Sequence, residues 1–429
     1  MNFSTAEERR KLESLDARAL ASHQFRRLEK LLDAILPENG FYAGKLAGIS
    51  RPIRSLDALA DLPFTFKEEL LGHSHGHDLA KNRTWPLERY TRFHQTSGTH
   101  GRPMIVVDTA DDWQWWLECW QYVLDAAEVQ AGDRALMAFS FGPFIGFWSA
   151  YDALAERGCL VVPTGGVNTL GRLELARASK ATVVCCTPSY ALHLAEIGAK
   201  HKLDVGSLGV RRLILAGEPG GSVPAVRGQI ESLWRAKVID HCGATEVGPW
   251  GFGDLGGHFV RVIESEFIAE FLSVATGTSA AEGELSELVI TSLGRAGSPV
   301  IRYRTGDLVR PTWRSDGDAA NRFVRLEGGV LGRTDDMLIV RGVNVFPSSI
   351  EQIVRSFPEV VEFRATVDRD SQLDRMTIEI EDRLEQPERV ARDLQLRLGL
   401  SVEVKAVPLG SLPRYEGKGK RFIDKRRKT

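Results

Sequence analysis

Leu and Ala recur at helical spacing among mixed charges over residues 5 to 35, and Pro37, Asn39 and Gly40 then break the pattern. This predicts a helical entry segment. From about 134 to 248 short apolar runs alternate with amphipathic stretches. RALMAFS, GCLVVPTGG, ATVVCCTP, RRLILAGEP and AKVIDHCG read as strands, separated by LGRLELARASK, SYALHLAEIGAK and AVRGQIESLWR as helices. The alternation predicts a mostly parallel sheet covered by helices. Between 257 and 345 the pattern turns to β, in HFVRVIE, FIAEFL, GELSELVITSL, FVRLEGG and MLIVRGV. The last part reads as a helix (SSIEQIVRSF), a strand pair around a turn at 368–374, a second helix (PERVARDLQLRL) and a final strand, SVEVKAV. The fold class is therefore α/β. A large N-terminal domain of sheet-and-helix subdomains, 1–332, precedes a smaller α+β C-terminal domain, 333–429.

Composition changes this picture little. A length of 429 residues calls for more than one folding unit, and 43% hydrophobic with 26% charged residues excludes extensive disorder. With 55 Lys and Arg against 57 Asp and Glu, no global field favours nucleic acid or a membrane surface. A local exception is the tail, where Lys418, Lys420, Arg421, Lys425, Arg426, Arg427 and Lys428 crowd together. The five cysteines lack C-x-x-C spacing, so neither a disulfide framework nor a zinc knuckle is indicated, and a reducing compartment fits. The N-terminus has no apolar run after its charges and no segment reaches membrane-spanning length, so a cytoplasmic location is expected.

Several motifs are decoys. Gly72, Ser74 and Gly76 match the G-x-S-x-G elbow of serine hydrolases, but that elbow needs a buried strand before the serine, and the charged helical FKEELL stands there. His73, His75, His77 and Asp78 offer zinc-type ligands, yet read better as a polar surface loop. Gly251, Gly253 and Gly256 fit G-x-G-x-x-G, but the strand-like HFVRVIE follows where a helix is required, so they read as loop glycines. No Walker-type phosphate loop is present, so a nucleotide must be held another way.

The segment Thr96, Ser97, Gly98, Thr99, His100, Gly101, Arg102, Pro103 is the strongest candidate for that task. It follows the strand-like YTRFHQ, its glycines allow close backbone approach to an anion, its hydroxyls and amides can donate to phosphate oxygens, and Arg102 adds charge. Alone it is also compatible with an ordinary hydroxyl-rich turn.

In order along the chain stand TSGTHGRP, TPSYAL (187–192), AGEP (216–219), HCGATEVGP (241–249), YRTGDL (303–308), GRTDDMLIVRGVNVFPSSIE (332–351) and EGKGKR (416–421), preceded by SLDALADLPFTFKEEL (55–70). Together these resemble the adenylate-forming ligase superfamily, and within it the phenylacetate-coenzyme A ligase family, from about residue 45 to the C-terminus. The resemblance implies an acid–thiol ligase. Such an enzyme makes an acyl-adenylate from ATP and an aromatic carboxylic acid, releases pyrophosphate, and passes the acyl group to a thiol, with coenzyme A the expected acceptor. A stand-alone adenylation enzyme that loads a carrier-protein thiol or an amine shares every motif and stays open, and relatives are often dimers, so a homodimer stays open as well.

The resemblance also assigns roles. Besides the 96–102 loop, the ATP site would include Gly217, Glu218 and Pro219 of AGEP and Cys242, Gly243 and Ala244 of HCGATE. Thr245 would meet phosphate and Glu246 would hold Mg²⁺, a hard cation that prefers oxygen ligands. Asp307 would accept both ribose hydroxyls, Arg333 would sit beside the nucleotide, and Asp335 would be the hinge about which a mobile small domain turns. Lys418 would stabilise charge on the phosphate oxygens in the first step.

Three departures stand out. Cys242 replaces the usual aromatic residue, His100 stands where Thr or Ser is usual, and Arg102 replaces Lys. The stretch that holds Phe141, Phe144, Trp148 and Tyr151 is bulkier than its family counterpart. These four either line an aromatic-acid pocket or pack in the core. The acid is accordingly open among phenylacetate, a substituted benzoate and a heteroaromatic acid.

Overall fold

The computed structural model describes residues 3–49, 55–71, 79–96, 103–140, 142–313, 320–336, 338–340, 343–370, 373–414 and 421–426. The predicted alternation is present. Strands Arg134–Met137, Leu160–Pro163, Val183–Cys186, Arg212–Ala216 and Lys237–Ala244 pair in parallel, with Arg134–Met137 between Leu160–Pro163 and Val183–Cys186. Helices link them. Thr187 caps Pro188–Lys200 by accepting from the Tyr190 amide, and Pro188 opens that helix where its missing N–H costs nothing. Val183–Cys186 is buried at every residue, which is why it reads as an unbroken apolar run.

The expectation of a mostly parallel sheet needs correction. Nine strands share the sheet, and beyond Lys237–Ala244 it continues antiparallel through Gly248–Phe252, Phe259–Val262, Arg325–Glu327 and Pro311–Thr312. Residues 245–247 are the whole connection to Gly248–Phe252, far too short for a parallel crossover. The reading of Gly251 as a loop glycine is likewise corrected. It lies in the Gly248–Phe252 strand, where a Cβ would come within 2.7 Å of Val260 Cγ1. Only Gly253 and Gly256 fall outside strands.

Two antiparallel units flank this sheet. Tyr90–Gln95 pairs with Ile105–Thr109, and Phe267–Ser273, Ser286–Ser292, Tyr303–Val309 and Gly332–Arg333 form a four-stranded sheet. Helix Ala110–Ala126, which the apolar spacing did not single out, inserts Trp113, Trp116, Trp120 and Tyr122 into the largest core. The smaller C-terminal part has its own core, around Ile350, Phe363, Ile378 and Leu394. Helices Pro347–Arg355 and Pro387–Leu398 pack there against Val360–Asp370 and Leu373–Asp382, as expected. Glu403–Ala406 is not the last strand. Phe422–Asp424 adds in parallel to Val360–Asp370, so the basic tail returns into the sheet. No described helix is long and apolar enough to cross a membrane.

Candidate active site

The HCGATEVGP segment becomes a strand, a tight turn and a second strand. The turn at 245–247 closes with the Val247 amide on the Ala244 carbonyl at 3.0 Å. Arg295 holds it from below, donating to the Thr245 carbonyl at 2.9 Å while its Nε pairs with Asp108 at 2.7 Å. Both members of that pair are fully buried. Neither Arg295 nor Asp108 was singled out from sequence, because 187 positions separate them.

The Glu246 carboxylate accepts from the Tyr303 hydroxyl at 2.9 Å and faces the Lys67 ammonium at 3.6 Å. Burial works to raise its pKa, but Lys67, a backbone amide and Tyr303 outweigh that and hold it below the ordinary carboxylate range. Lys67 and Tyr303 went unassigned although both lie inside quoted motifs. In SLDALADLPFTFKEEL the lysine looks like any helix-surface cation, and only the fold brings it to Glu246.

Asp307 stands opposite Arg333 across two paired strands, and Arg333 Nη1 donates to its Oδ1 at 3.0 Å. Arg333 Nε reaches Asp335 at 2.8 Å, so one guanidinium joins the ribose candidate to the hinge candidate. Gly306, at φ +75°, is needed here, since a Cβ would lie 3.1 Å from Arg333 Nη2. A cavity of about 480 Å³ opens beside this cluster, with Lys67, Tyr303, Arg304, Thr305, Gly306 and Arg333 in its wall. Glu68, Glu287 and Asp335 share that wall with Lys67, Arg304 and Arg333, so charges of both signs line the cavity.

Thr96 closes the Tyr90–Gln95 hairpin from both sides: its amide donates to the Met104 carbonyl and its hydroxyl accepts from the Met104 amide, each at 2.9 Å. Ser97, Gly98, Thr99, Gly101 and Arg102 lie outside the described residues, as do Phe141, Lys418 and the histidines at 73, 75 and 77. Gly217, Glu218 and Pro219 follow the carboxyl end of strand Arg212–Ala216, the edge at which open α/β sheets bind ligands. Gly217 takes φ +94°. The Glu218 carboxylate accepts from the Ser189 amide at 2.7 Å and faces Arg421 at 3.9 Å, so its side chain is held by protein partners.

Phe144, Trp148 and Tyr151 fall at helical spacing that puts them on one face of the segment beginning at Ile145. Phe144 and Trp148 are 40% and 38% exposed, far too open for core residues, whereas Tyr151 packs against the main core. The Gln95 amide donates to the Pro143 carbonyl at 2.7 Å, which brings this aromatic face to the start of the 96–102 loop. Cys242 and Gly243 end the neighbouring central strand, and burial raises the Cys242 thiol far above its usual pKa, so it is an inert neutral group here. No group of three or more His, Cys, Asp or Glu among the described residues is arranged to hold a metal by itself. Mg²⁺ fits differently, since it commonly takes one or two carboxylates and completes its shell with substrate phosphates and water. Glu246, already facing a cation, is such a carboxylate.

Within this strand Asp240 is buried, and burial pushes its carboxyl from 3.8 to about 6 despite the Ser222 hydroxyl and Arg227. A folded pKa above the unfolded one favours folding at low pH, and that contribution disappears as pH rises from about 4 through about 6. Ionised Asp240 therefore opposes folding at neutral pH. Asp240→Asn is expected to stabilise the protein near pH 7 by about 2 kcal/mol and to flatten its pH dependence in that window. Urea midpoints taken across the window check this, and a variant less stable than wild type near neutral pH contradicts it.

These features define an AMP-binding enzyme, and comparison with known proteins agrees. The family model for AMP-binding enzymes matches residues 69–263, and that for the AMP-binding enzyme C-terminal domain matches 342–426. The chain belongs to the phenylacetate-coenzyme A ligase family. It is 31% identical to the phenylacetate-coenzyme A ligase of Thermus thermophilus, over 97% of this chain and 99% of that one. Identity to the Pseudomonas putida ligase is 30%, over 97% and 96%. Among solved structures the fold matches 2-hydroxyisobutyryl-CoA ligase in its postadenylation state with a TM-score of 0.89 at 24% identity, covering 99% of this chain and 94% of that one. The same ligase in its thioesterification state, with CoA, matches at 0.72 and 25% identity with the same coverage.

Proposed function

We propose that the protein activates an aromatic carboxylic acid with ATP and transfers the acyl group to coenzyme A. In the first half-reaction a carboxylate oxygen bonds to the α-phosphorus as the bond from that phosphorus to its bridging oxygen breaks, and pyrophosphate leaves. In the second the thiol sulfur bonds to the acyl carbon, its proton passes to solvent, and the bond from the acyl carbon to the phosphate oxygen breaks to release AMP. The single observation that carries the reading is the arrangement of Glu246 and Asp307 around Arg333 and Lys67, beside a cavity lined by charges of both signs.

In this reading the 96–102 loop and Thr245 receive phosphate oxygens, and the two oxygens of Asp307 accept the ribose diol. The backbones at 217–219 and 242–244 border the base. Lys67 and Arg333 neutralise phosphate charge from the cavity side. A magnesium ion held by Glu246 and phosphate oxygens would offset charge on the departing pyrophosphate. Phe144, Trp148 and Tyr151 supply an apolar, aromatic surface for the acid. Lys418 stabilises the oxygens of the reacting phosphate in the first half-reaction. It must then withdraw, with the small domain beyond about residue 333 turning at Asp335 to admit the thiol.

Acid-dependent exchange of labelled pyrophosphate into ATP across a panel of aromatic acids tests the first half-reaction, and thioester formation with added coenzyme A tests the second. Exchange without thioester would instead place the acceptor on a carrier protein or an amine. No exchange with any carboxylic acid would overturn the reading. Asp335→Pro, which removes an amide and fixes φ at the turn, is expected to slow thioester formation several-fold while exchange continues. A second half-reaction at the wild-type rate would remove Asp335 from the hinge.

A further inference from the structure

Two arginines border the segment that carries Lys418, four positions after Arg414 and three before Arg421. Each reaches from the small part of the chain to a glutamate of the large one. Arg414 Nε lies 3.3 Å from Glu196, and Arg421 Nη1 lies 3.9 Å from Glu218. Both glutamates connect to one helix, Pro188–Lys200: Glu196 lies in it, and Glu218, which follows strand Arg212–Ala216, bonds to it. Glu196 is on its last turns, while Glu218 is bonded to the Ser189 amide in its first turn. Seven residues of helix separate these points, a distance of about 10 Å. Arg414 and Arg421, which bracket positions 415–420, thus each meet a glutamate tied to that helix.

Every member of these pairs also keeps a partner on its own side. Arg414 makes two bonds to Glu381, at 3.1 and 2.7 Å, and Arg421 Nε pairs with Glu362 at 2.8 Å. Glu196 keeps Lys200 at 3.2 Å, and Glu218 keeps the Ser189 amide. Separation of the two parts therefore leaves no bare buried charge, so the main cost of breaking a buried pair does not arise. Contacts with this property are reversible.

We propose that Arg414–Glu196 and Arg421–Glu218 form a two-point latch that positions the Lys418 segment for the first half-reaction and releases it for the second. The proposal rests on the adenylation reading above, and these are positioning residues, not catalytic ones. The better match to the postadenylation than to the thioesterification form of the solved ligase, 0.89 against 0.72, accords with a docked arrangement.

The test separates the half-reactions in Glu196→Lys, which sets a second cation against Arg414, and in Glu196→Gln, which removes charge at constant shape. Acyl-adenylate formation is expected to fall roughly three- to tenfold in Glu196→Lys and less in Glu196→Gln. Thioester formation from supplied acyl-adenylate should be unchanged or faster in both. Unchanged adenylation in both variants overturns the latch, as does an equal fall in both half-reactions of Glu196→Gln, the mark of a general structural defect. Lys418→Ala run in parallel keeps the levels apart. If it loses adenylation selectively while the Glu196 variants do not, only the latch fails; if it shows no selectivity, the underlying reading fails and the latch with it.

Discussion

Lys418→Ala is expected to slow acyl-adenylate formation by on the order of 10²-fold or more while leaving thioester formation from supplied acyl-adenylate near its wild-type rate. The asymmetry follows from where charge develops. As the carboxylate attacks phosphorus, negative charge gathers on the bridging and equatorial oxygens, and a positioned ammonium in a site shielded from water stabilises that state more than the ground state. The second half-reaction breaks a bond to an adenylate already formed and has no use for this ammonium. Pyrophosphate exchange and single-turnover thioester formation read the two rates separately. Equal loss of both would contradict the assignment.

Glu246→Gln should have an effect of similar size, about 10²-fold on adenylation, with a displaced magnesium dependence. The substitution keeps shape but removes the charge that faces Lys67 at 3.6 Å. The apparent magnesium requirement should rise, because a neutral amide is a poor ligand for a hard cation. The wild-type carboxyl is held below its ordinary pKa of 4.5, so it stays ionised across the neutral range. Its contribution is present above that value and is lost as pH falls through the lowered pKa. Adenylation should therefore show no titration of this group near neutrality. A magnesium titration that superimposes on that of wild type would take Glu246 out of the metal role.

Much of the architecture was legible because the physics behind it is local or repetitive. Parallel strands buried on both faces must be apolar throughout, so Val183–Cys186 announces itself. The helix-strand-strand-helix order of the C-terminal part was readable for the same reason. The antiparallel half of the main sheet was not, since the change of direction depends on the length of one turn at 245–247. In the sequence Arg421 stands out only as one of the cations crowded in the tail and as the last residue of EGKGKR. It is buried, because three acidic side chains from different elements, Glu218, Glu351 and Glu362, converge on it.

By itself the amino-acid order determined the fold class, the family resemblance and the candidate ligand-bearing residues, since each is written in short motifs and in the period of apolar positions. Tertiary structure alone decided that Asp307 meets Arg333, that Lys67 and Tyr303 meet Glu246, and that Arg414 meets Glu196 and Arg421 meets Glu218. Those contacts join residues tens to hundreds of positions apart, and their existence depends on strand register and on how separate elements pack. No local preference of the chain encodes either.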